Sequence, residues 1–266
     1  MDEYPSPETL ISYLKQAEDF ARAGAAVSSR YFGTSIEVER KADSSPVTIA
    51  DRESEQEMRQ LILSAFPDHQ ILGEEFGSAG DGESPWKWVL DPIDGTKSFI
   101  HGIPLYTVLV ALMYEDQAML GVIYNPQTDE LVSAGIGMGC WYNGQATRVS
   151  TVSSLEEARL QLTDPGDYLR RDPKHAADIM SSVRLTRTWA DAHGYLLIAT
   201  GRAEIMIDPE MSLWDIACLQ PIITEAGGEF TDIRGNRALG SSAVATNGLL
   251  HEEVMRTIGV SEYHRH

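Results

Sequence analysis

Cysteine is nearly absent from this 266-residue chain: Cys140 and Cys218 are its only two, and neither belongs to a C-x-x-C pair or a His-rich tract. A disulfide framework and a thiolate zinc site are thereby excluded, and a reducing compartment fits. No run approaches the roughly 18 apolar residues of a membrane span. The N-terminus, Met1 to Ser6, has no basic region followed by an apolar stretch, so the sequence reads as cytoplasmic. There is also no basic cluster. With a formal net charge of −19, nucleic acid and anionic membrane surfaces would be repelled, so neither is expected as a partner. Internal repeats are lacking too. The composition, 42% hydrophobic and 23% charged, is that of a folded globular protein and excludes disorder or a fibrous architecture.

What is present begins with helical signals. Ser6 precedes Pro7 as a cap before a first-turn proline, and Leu10, Leu14, Ala17, Ala21 and Ala25 recur at helical spacing, predicting a helix to about residue 32. After an irregular polar stretch, Lys41 to Ala50, a second helix is expected near Asp51. Met58, Leu61, Ile62 and Ala65 form its stripe, and Phe66-Pro67-Asp68 ends it. The runs 88–90, 106–113, 118–124 and 131–134 are short and apolar or β-branched, divided by Gly, Asn and Asp, and predict a mostly antiparallel meander. From about Ser153 the types alternate. Strands are expected near Leu160, near Val183, at 204–207 and at 243–246, and helices near His175, near Gly194, at 214–226 and at 249–258. The fold class is therefore layered, α+β over residues 1–150 and α/β over 151–266, the two halves forming one compact unit. The stretch Gly77 to Ser84 is the one flexible-looking insertion.

The strongest chemical signal is Trp88-Val-Leu-Asp91-Pro-Ile-Asp94-Gly-Thr96, a buried-looking strand ending in two carboxylates and a Gly-Thr pair. Magnesium takes hard oxygen ligands in octahedral array, which Asp91, Asp94 and the Ile93 carbonyl could supply. Gly95 permits close backbone approach, and free amides at a helical turn beginning at Thr96 would meet a phosphate. Taken alone, Asp-x-x-Asp-Gly is also an ordinary turn. Glu74 and Glu75 add carboxylates after the apolar pair Ile71-Leu72, and Asp215 opens an apolar helix, where it could cap or coordinate.

Together, Gly73-Glu74-Glu75, Asp91-Pro-Ile-Asp94-Gly-Thr96, Trp214-Asp215-Ile-Ala217 and Glu225-Ala-Gly-Gly228 resemble, in order and spacing, the inositol monophosphatase superfamily of metal-dependent phosphatases. The resemblance implies the superfamily's α-β-α-β-α sandwich and two or three Mg2+ ions acting on a small phosphorylated substrate. Glu74, Asp91 and the Ile93 carbonyl would hold one ion, and Asp91, Asp94 and Asp215 a second. Gly95 and Thr96 amides would bind phosphate oxygens. The Thr96 hydroxyl, hydrogen-bonded to Asp51, would activate the attacking water together with Glu74. Lys41 to Asp51 matches the superfamily's N-terminal motif, which makes Lys41 a substrate-side candidate, though it could equally be an exposed lysine and Asp51 a helix cap. The superfamily commonly forms homodimers.

Lys41 to Asp51, Thr96 to Pro104, Asp191-x-x-Gly-Tyr195 and Asp208-Pro to Asp215 look more like the histidinol-phosphate phosphatase branch. By that resemblance Asp208 stands where inositol phosphatases carry a glutamate for inositol hydroxyls, and Asp191 replaces a small neutral residue. Both changes favour a cationic alcohol, which two carboxylates bind by charge-assisted hydrogen bonds. Asp208 could instead be a strand-end turn and Asp191 a helix cap. His193 and Glu210-Met-Ser-Leu213 depart from the branch's usual pattern, and His193 reads as a wall or packing residue. Trp189, Tyr195 and Phe99 read as core aromatics, any of which could flank an imidazole. Two other readings stay open: an inositol-1-phosphatase or broad sugar-phosphate phosphatase, and a non-catalytic protein that binds phosphate ligands.

Overall fold

The computed structural model describes residues 5–41, 46–80 and 82–260. The chain opens with α1 (Pro7–Ser28), in which Ser6 Oγ accepts from the Thr9 amide. A ribbon of β1 (Glu39–Arg40) and β2 (Pro46–Val47) leads to α2 (Ile49–Ala65), and then come β3 (Gln70–Gly73), β4 (Gly77–Ala79), β5 (Trp86–Asp94) and the short α3 (Thr96–Ile100). β6 (Thr107–Tyr114), β7 (Gln117–Asn125), β8 (Glu130–Gly135), β9 (Cys140–Tyr142) and β10 (Gln145–Thr147) complete the first sheet. Thereafter β11 (Arg159–Leu162), α4 (Pro165–Arg171), α5 (Pro173–Ser182), β12 (Leu185–Arg187), α6 (Asp191–Ala199) and β13 (Ile205–Asp208) alternate. α7 (Leu213–Ile216), α8 (Leu219–Glu225), β14 (Glu229–Thr231), β15 (Ala243–Thr246) and α9 (His251–Thr257) close the chain.

The large sheet runs β10-β9-β8-β7-β6-β5-β3-β4, an antiparallel meander from β5 onward with β3 added parallel to β5. Alternate residues of a strand face opposite sides, and here both sides are covered, which is why β6 and β7 are almost wholly apolar. Trp88, Leu90, Val110, Leu112, Leu120 and Val122 pack beneath α1 and α2, against Phe20, Met58 and Ile62. Val89, Leu109, Ala111, Ile123 and Val132 face the other way, onto α6 and α8. The second sheet, β12-β11-β13-β15-β14, lays Met206, Phe230 and Ala245 on that same helical layer. Its far face, with Leu160, Ile205, Ile207 and Val244, is covered by α4, α5 and α9. The result is the expected α-β-α-β-α stack. The C-terminal ends of β3, β5 and β13 and the starts of α3, α6 and α7 line one cavity.

Several local expectations need correction. The first helix ends at Ser28, and the chain continues to Tyr31 only in tighter turns, Arg30 N donating to the Val27 carbonyl and Tyr31 N to the Ser28 carbonyl. The helix expected over 214–226 is two. Pro221 has no amide proton and its ring crowds the carbonyl four residues back, so the helix restarts at Leu219, where a proline in the first turn is tolerated. Gly77–Ala79, expected to be a flexible insertion, pairs with β3; Asp81 lies outside the described residues. The Lys41–Ala50 stretch holds β2, whereas 42–45, part of the N-terminal motif, also lie outside them. The three-residue β14 was not foreseen.

Leu112 is fully buried at the centre of the large sheet, whereas Ile11 on α1 is 56% exposed. Leu112→Ala is expected to cost about 2–5 kcal/mol and Ile11→Ala under about 0.5 kcal/mol, read from urea unfolding midpoints.

Candidate active site

The site starts from an irregularity in β5. Asp91 pairs with Leu109 and Asp94 with Thr107, so three steps on β5 span two on β6, and Pro92 and Ile93 bulge out. The bulge turns both aspartates into one region. Asp91 Oδ1 accepts from the Ile93 amide at 3.0 Å, and Asp94 Oδ2 accepts from the Thr107 hydroxyl at 2.8 Å and the Ala192 amide at 2.7 Å. Gly95 follows with φ of 81°, a left-handed conformation that frees the chain to enter α3 directly. A side chain there would also meet Asp191, whose Oδ2 would lie 2.9 Å from an added Cβ.

Helix caps deliver two further carboxylates. Asp51 and Asp215 are each the third residue of a capping box, with Thr48 and Ser212 as the caps. Asp51 Oδ2 accepts from the Thr48 amide at 2.8 Å and its hydroxyl at 2.6 Å, while Asp215 Oδ2 accepts from the Ser212 amide at 2.7 Å. Capping and proximity to the cavity are therefore compatible at Asp215. Oxygens of Asp91, Asp94 and Asp215 lie within 4.8 Å of one another. Glu74 joins them on the cavity wall, its carboxylate bonded at 2.7 Å to Lys41 Nζ, which also holds Glu75 at 2.7 Å.

The cavity, of about 610 Å³, is lined by Glu74, Asp91, Ile93, Asp94, Gly95, Thr96, Asp191, Asp208 and Asp215, together with Lys97, Trp189 and others. Of the candidates, Asp51 and Lys41 stand behind this lining. The expected bond between Thr96 and Asp51 is not made: the Thr96 hydroxyl donates to the Ile93 carbonyl at 3.2 Å, and Thr48 occupies Asp51 Oδ2. Asp208, at the end of β13, accepts from the Tyr195 hydroxyl at 3.0 Å. Asp191 makes no side-chain cap to α6, which starts with its φ at 41°.

The sequence model of the Inositol monophosphatase family matches residues 10–262. The chain belongs to the inositol monophosphatase family. It is 38% identical to the histidinol-phosphatase of Chlorobaculum parvum over 95% of this chain and 98% of that one. It is 33% identical to the fructose-1,6-bisphosphatase/inositol-1-monophosphatase of Aquifex aeolicus, over 94% and 96%. Among solved structures, the suhB protein of Bartonella henselae superposes with a TM-score of 0.88 at 27% identity, over 93% of this chain and 98% of that one. As a member of this family the chain is a metal-dependent phosphomonoesterase.

The residues present fit a hard divalent cation. Burial raises the Asp91 carboxyl well above its ordinary pKa, and the charges of Glu74, Asp94 and Asp215 push it further. Asp94 is raised for the same first reason, then by Asp191 and Asp215. Burial brings Asp51, Asp191 and Asp215 to about 6 and Asp208 to about 7. Such a set is costly unless a cation shares it. Behind the lining, Asp51 Oδ1 is also buried without a hydrogen-bond partner. Two lysines already offset part of this charge: Lys97 on the cavity wall, whose charge acts on Asp191, and Lys41 beside Glu74. Burial would lower the Lys41 pKa, but the Glu74 and Glu75 carboxylates overcome that and hold it above the ordinary lysine value.

Of the three aromatics expected to be core, with the option of flanking an imidazole, Trp189 is the one that lines the cavity. Tyr195 and Phe99 are indeed buried, but Trp189 is 38% exposed and has φ of 62°. An aromatic side chain with a left-handed backbone is strained, and strain of that kind gathers at ligand sites. Its ring packs edge-on to His101 at 5.7 Å. The position of Trp189 two residues before Asp191 was the available signal. His193 is a packing residue, its ring 3.4 Å from Asn125 Nδ2.

A carboxyl whose pKa is higher in the folded than in the unfolded chain binds its proton more tightly when folded. Metal-free protein should therefore gain stability as pH falls through about 7 for Asp208 and about 6 for Asp51, Asp191 and Asp215. In chelator, the urea midpoint is expected to be higher at pH 5.5 than at pH 8. Added Mg2+ should raise it more at pH 8 than at pH 5.5.

Proposed function

We propose that this phosphomonoesterase hydrolyses L-histidinol phosphate to L-histidinol and inorganic phosphate, using Mg2+. The observation that carries the reading is the pair Asp191 and Asp208 on the cavity wall. Both are buried enough for their pKa values to rise, so an ammonium or imidazolium placed between them would relieve a standing penalty as well as form charge-assisted hydrogen bonds. An uncharged cyclitol would leave that penalty in place. Trp189 offers an exposed π face at the same wall, suited to a cationic ring. Relatives named histidinol-phosphatase in Chlorobaculum parvum and Mycobacterium tuberculosis, at 38% and 34% identity, support the reading.

In this reading Glu74, Asp91, Asp94, Asp215 and the Ile93 carbonyl would hold the metal. Bound metal supplies neutralisation of the ester phosphate and a lower pKa for water at the site. Gly95 and Thr96 amides hold phosphate oxygens where α3 begins. The Thr96 hydroxyl, its proton on the Ile93 carbonyl, accepts from the attacking water and fixes its direction, and Glu74 takes the proton. A new P–O bond forms from that water as the ester P–O bond breaks, and the departing alkoxide takes a proton from solvent water. Lys41, beside Glu74, keeps positive charge near the incoming phosphate. Asp51 keeps one oxygen unbonded for the same network.

Phosphate release by purified protein with Mg2+ should show a kcat/KM for histidinol phosphate about ten-fold or more above that for inositol 1-phosphate. A preference for the inositol ester would replace this reading with an inositol-1-phosphatase. Asp191→Ala should raise KM about ten-fold for histidinol phosphate alone; an equal effect on both esters would remove Asp191 as a reader of the alcohol. Asp94→Asn should abolish turnover without lowering the metal-free urea midpoint, because it removes a repelling buried charge. Full activity would take Asp94 out of the site.

A further inference from the structure

Glu55 is a fully buried glutamate on α2 to which the reaction assigns no task. Its donors all concern the turn that carries Glu74. Oε2 accepts from the Glu75 amide at 2.7 Å, and Oε1 from the Phe76 amide at 3.3 Å and from Arg59 Nε at 2.6 Å. Arg59 in turn donates to the Gly77 carbonyl, where β4 begins. The carboxylate also fills the space beside Gly73. A Cβ on that residue would lie 2.0 Å from Glu55 Oε1 and displace the carboxylate, so glycine there leaves room for the neighbour rather than serving its own conformation.

On the opposite side, the Glu74 amide donates to the Leu90 carbonyl at 3.2 Å, one residue before Asp91. The turn is thus held at both ends. β5 takes the amide of Glu74, and α2 takes the next two amides through one buried carboxylate. A buried charge satisfied by two amides and a guanidinium fixes geometry where a flexible surface turn would leave Glu74 free to swing.

We infer that Glu55 is a positioning residue for the metal site: it locks the Gly73–Gly77 turn so that Glu74 is presented beside Asp91, and Gly73 is glycine to admit it. The inference concerns cation binding and is independent of which ester is hydrolysed. Groups that orient metal ligands from behind change metal affinity by about 10–100-fold when removed.

The test is Glu55→Gln, which keeps the shape but loses the charge and one acceptor. Calorimetric titration with Mg2+ alone should show a dissociation constant raised about ten-fold or more, while KM for the ester at saturating Mg2+ stays within about two-fold. Should Glu55→Gln fail to fold, Arg59→Gln releases Gly77 from the same lock and is expected to weaken Mg2+ in the same direction. A folded variant of either kind that binds Mg2+ as the wild type does, even with a lowered melting temperature, would overturn the inference and leave Glu55 a stabilising group only.

Discussion

Mutual repulsion among carboxylates is the constraint around which this molecule is arranged. Asp91, Asp94 and Asp215 bring oxygens within 4.8 Å of one another, with Glu74 adjoining, in a place where burial already disfavours charge. Left to itself, a chain would relax such a cluster apart. It persists because each member is fastened by hydrogen bonds that have nothing to do with its neighbours: the bulge of β5 for Asp91, Thr107 and Ala192 for Asp94, a helix cap for Asp215. A divalent cation held among these oxygens would relieve the stored repulsion. The same logic explains how a chain of net charge −19 receives an anionic ester, because bound metal reverses the local sign.

The stacking of layers serves that fastening. Two helices press one face of the large sheet, α6 and α8 press the other, and the second sheet closes over those helices. Parts far apart in sequence thereby meet at one cavity: Glu74 and Asp91 from the large sheet, Asp208 from the small one, Asp191 and Asp215 from helix starts between them. The carboxylates of the candidate metal site come mainly from the first half of the chain. The other wall residues Asp191, Asp208 and Trp189 come from the second, so under the proposed function ester preference would have room to change while the metal chemistry stays as it is.

Much of this was legible in the sequence. Short continuous apolar runs announced β6 and β7, and Asp91-Pro-Ile-Asp94-Gly-Thr96 announced a strand end and turn because Pro, Gly and paired aspartates restrict the backbone locally. The bulge between Asp91 and Asp94, by contrast, depends on pairing with β6 and was not foreseen. The break at Leu219 was hidden because Trp214 to Ala226 is predominantly apolar throughout and Pro221 acts on a carbonyl four residues earlier. β14 was too short to carry a pattern of its own. The bonds of Asp51 and Thr96 went elsewhere than expected because a capping box competes for the first and a nearby carbonyl for the second. Nothing in the sequence around Glu55 and Arg59 marks them as more than charged residues of α2. Only the fold shows that they face a turn some twenty residues downstream.

The central claim is that the carboxylate cluster is a cation site. Anomalous diffraction from crystals grown with Mn2+ in place of Mg2+ tests it most directly. The account predicts a strong anomalous peak among the oxygens of Asp91, Asp94 and Asp215. Density free of anomalous signal there, with Mn2+ found elsewhere or nowhere, would contradict it.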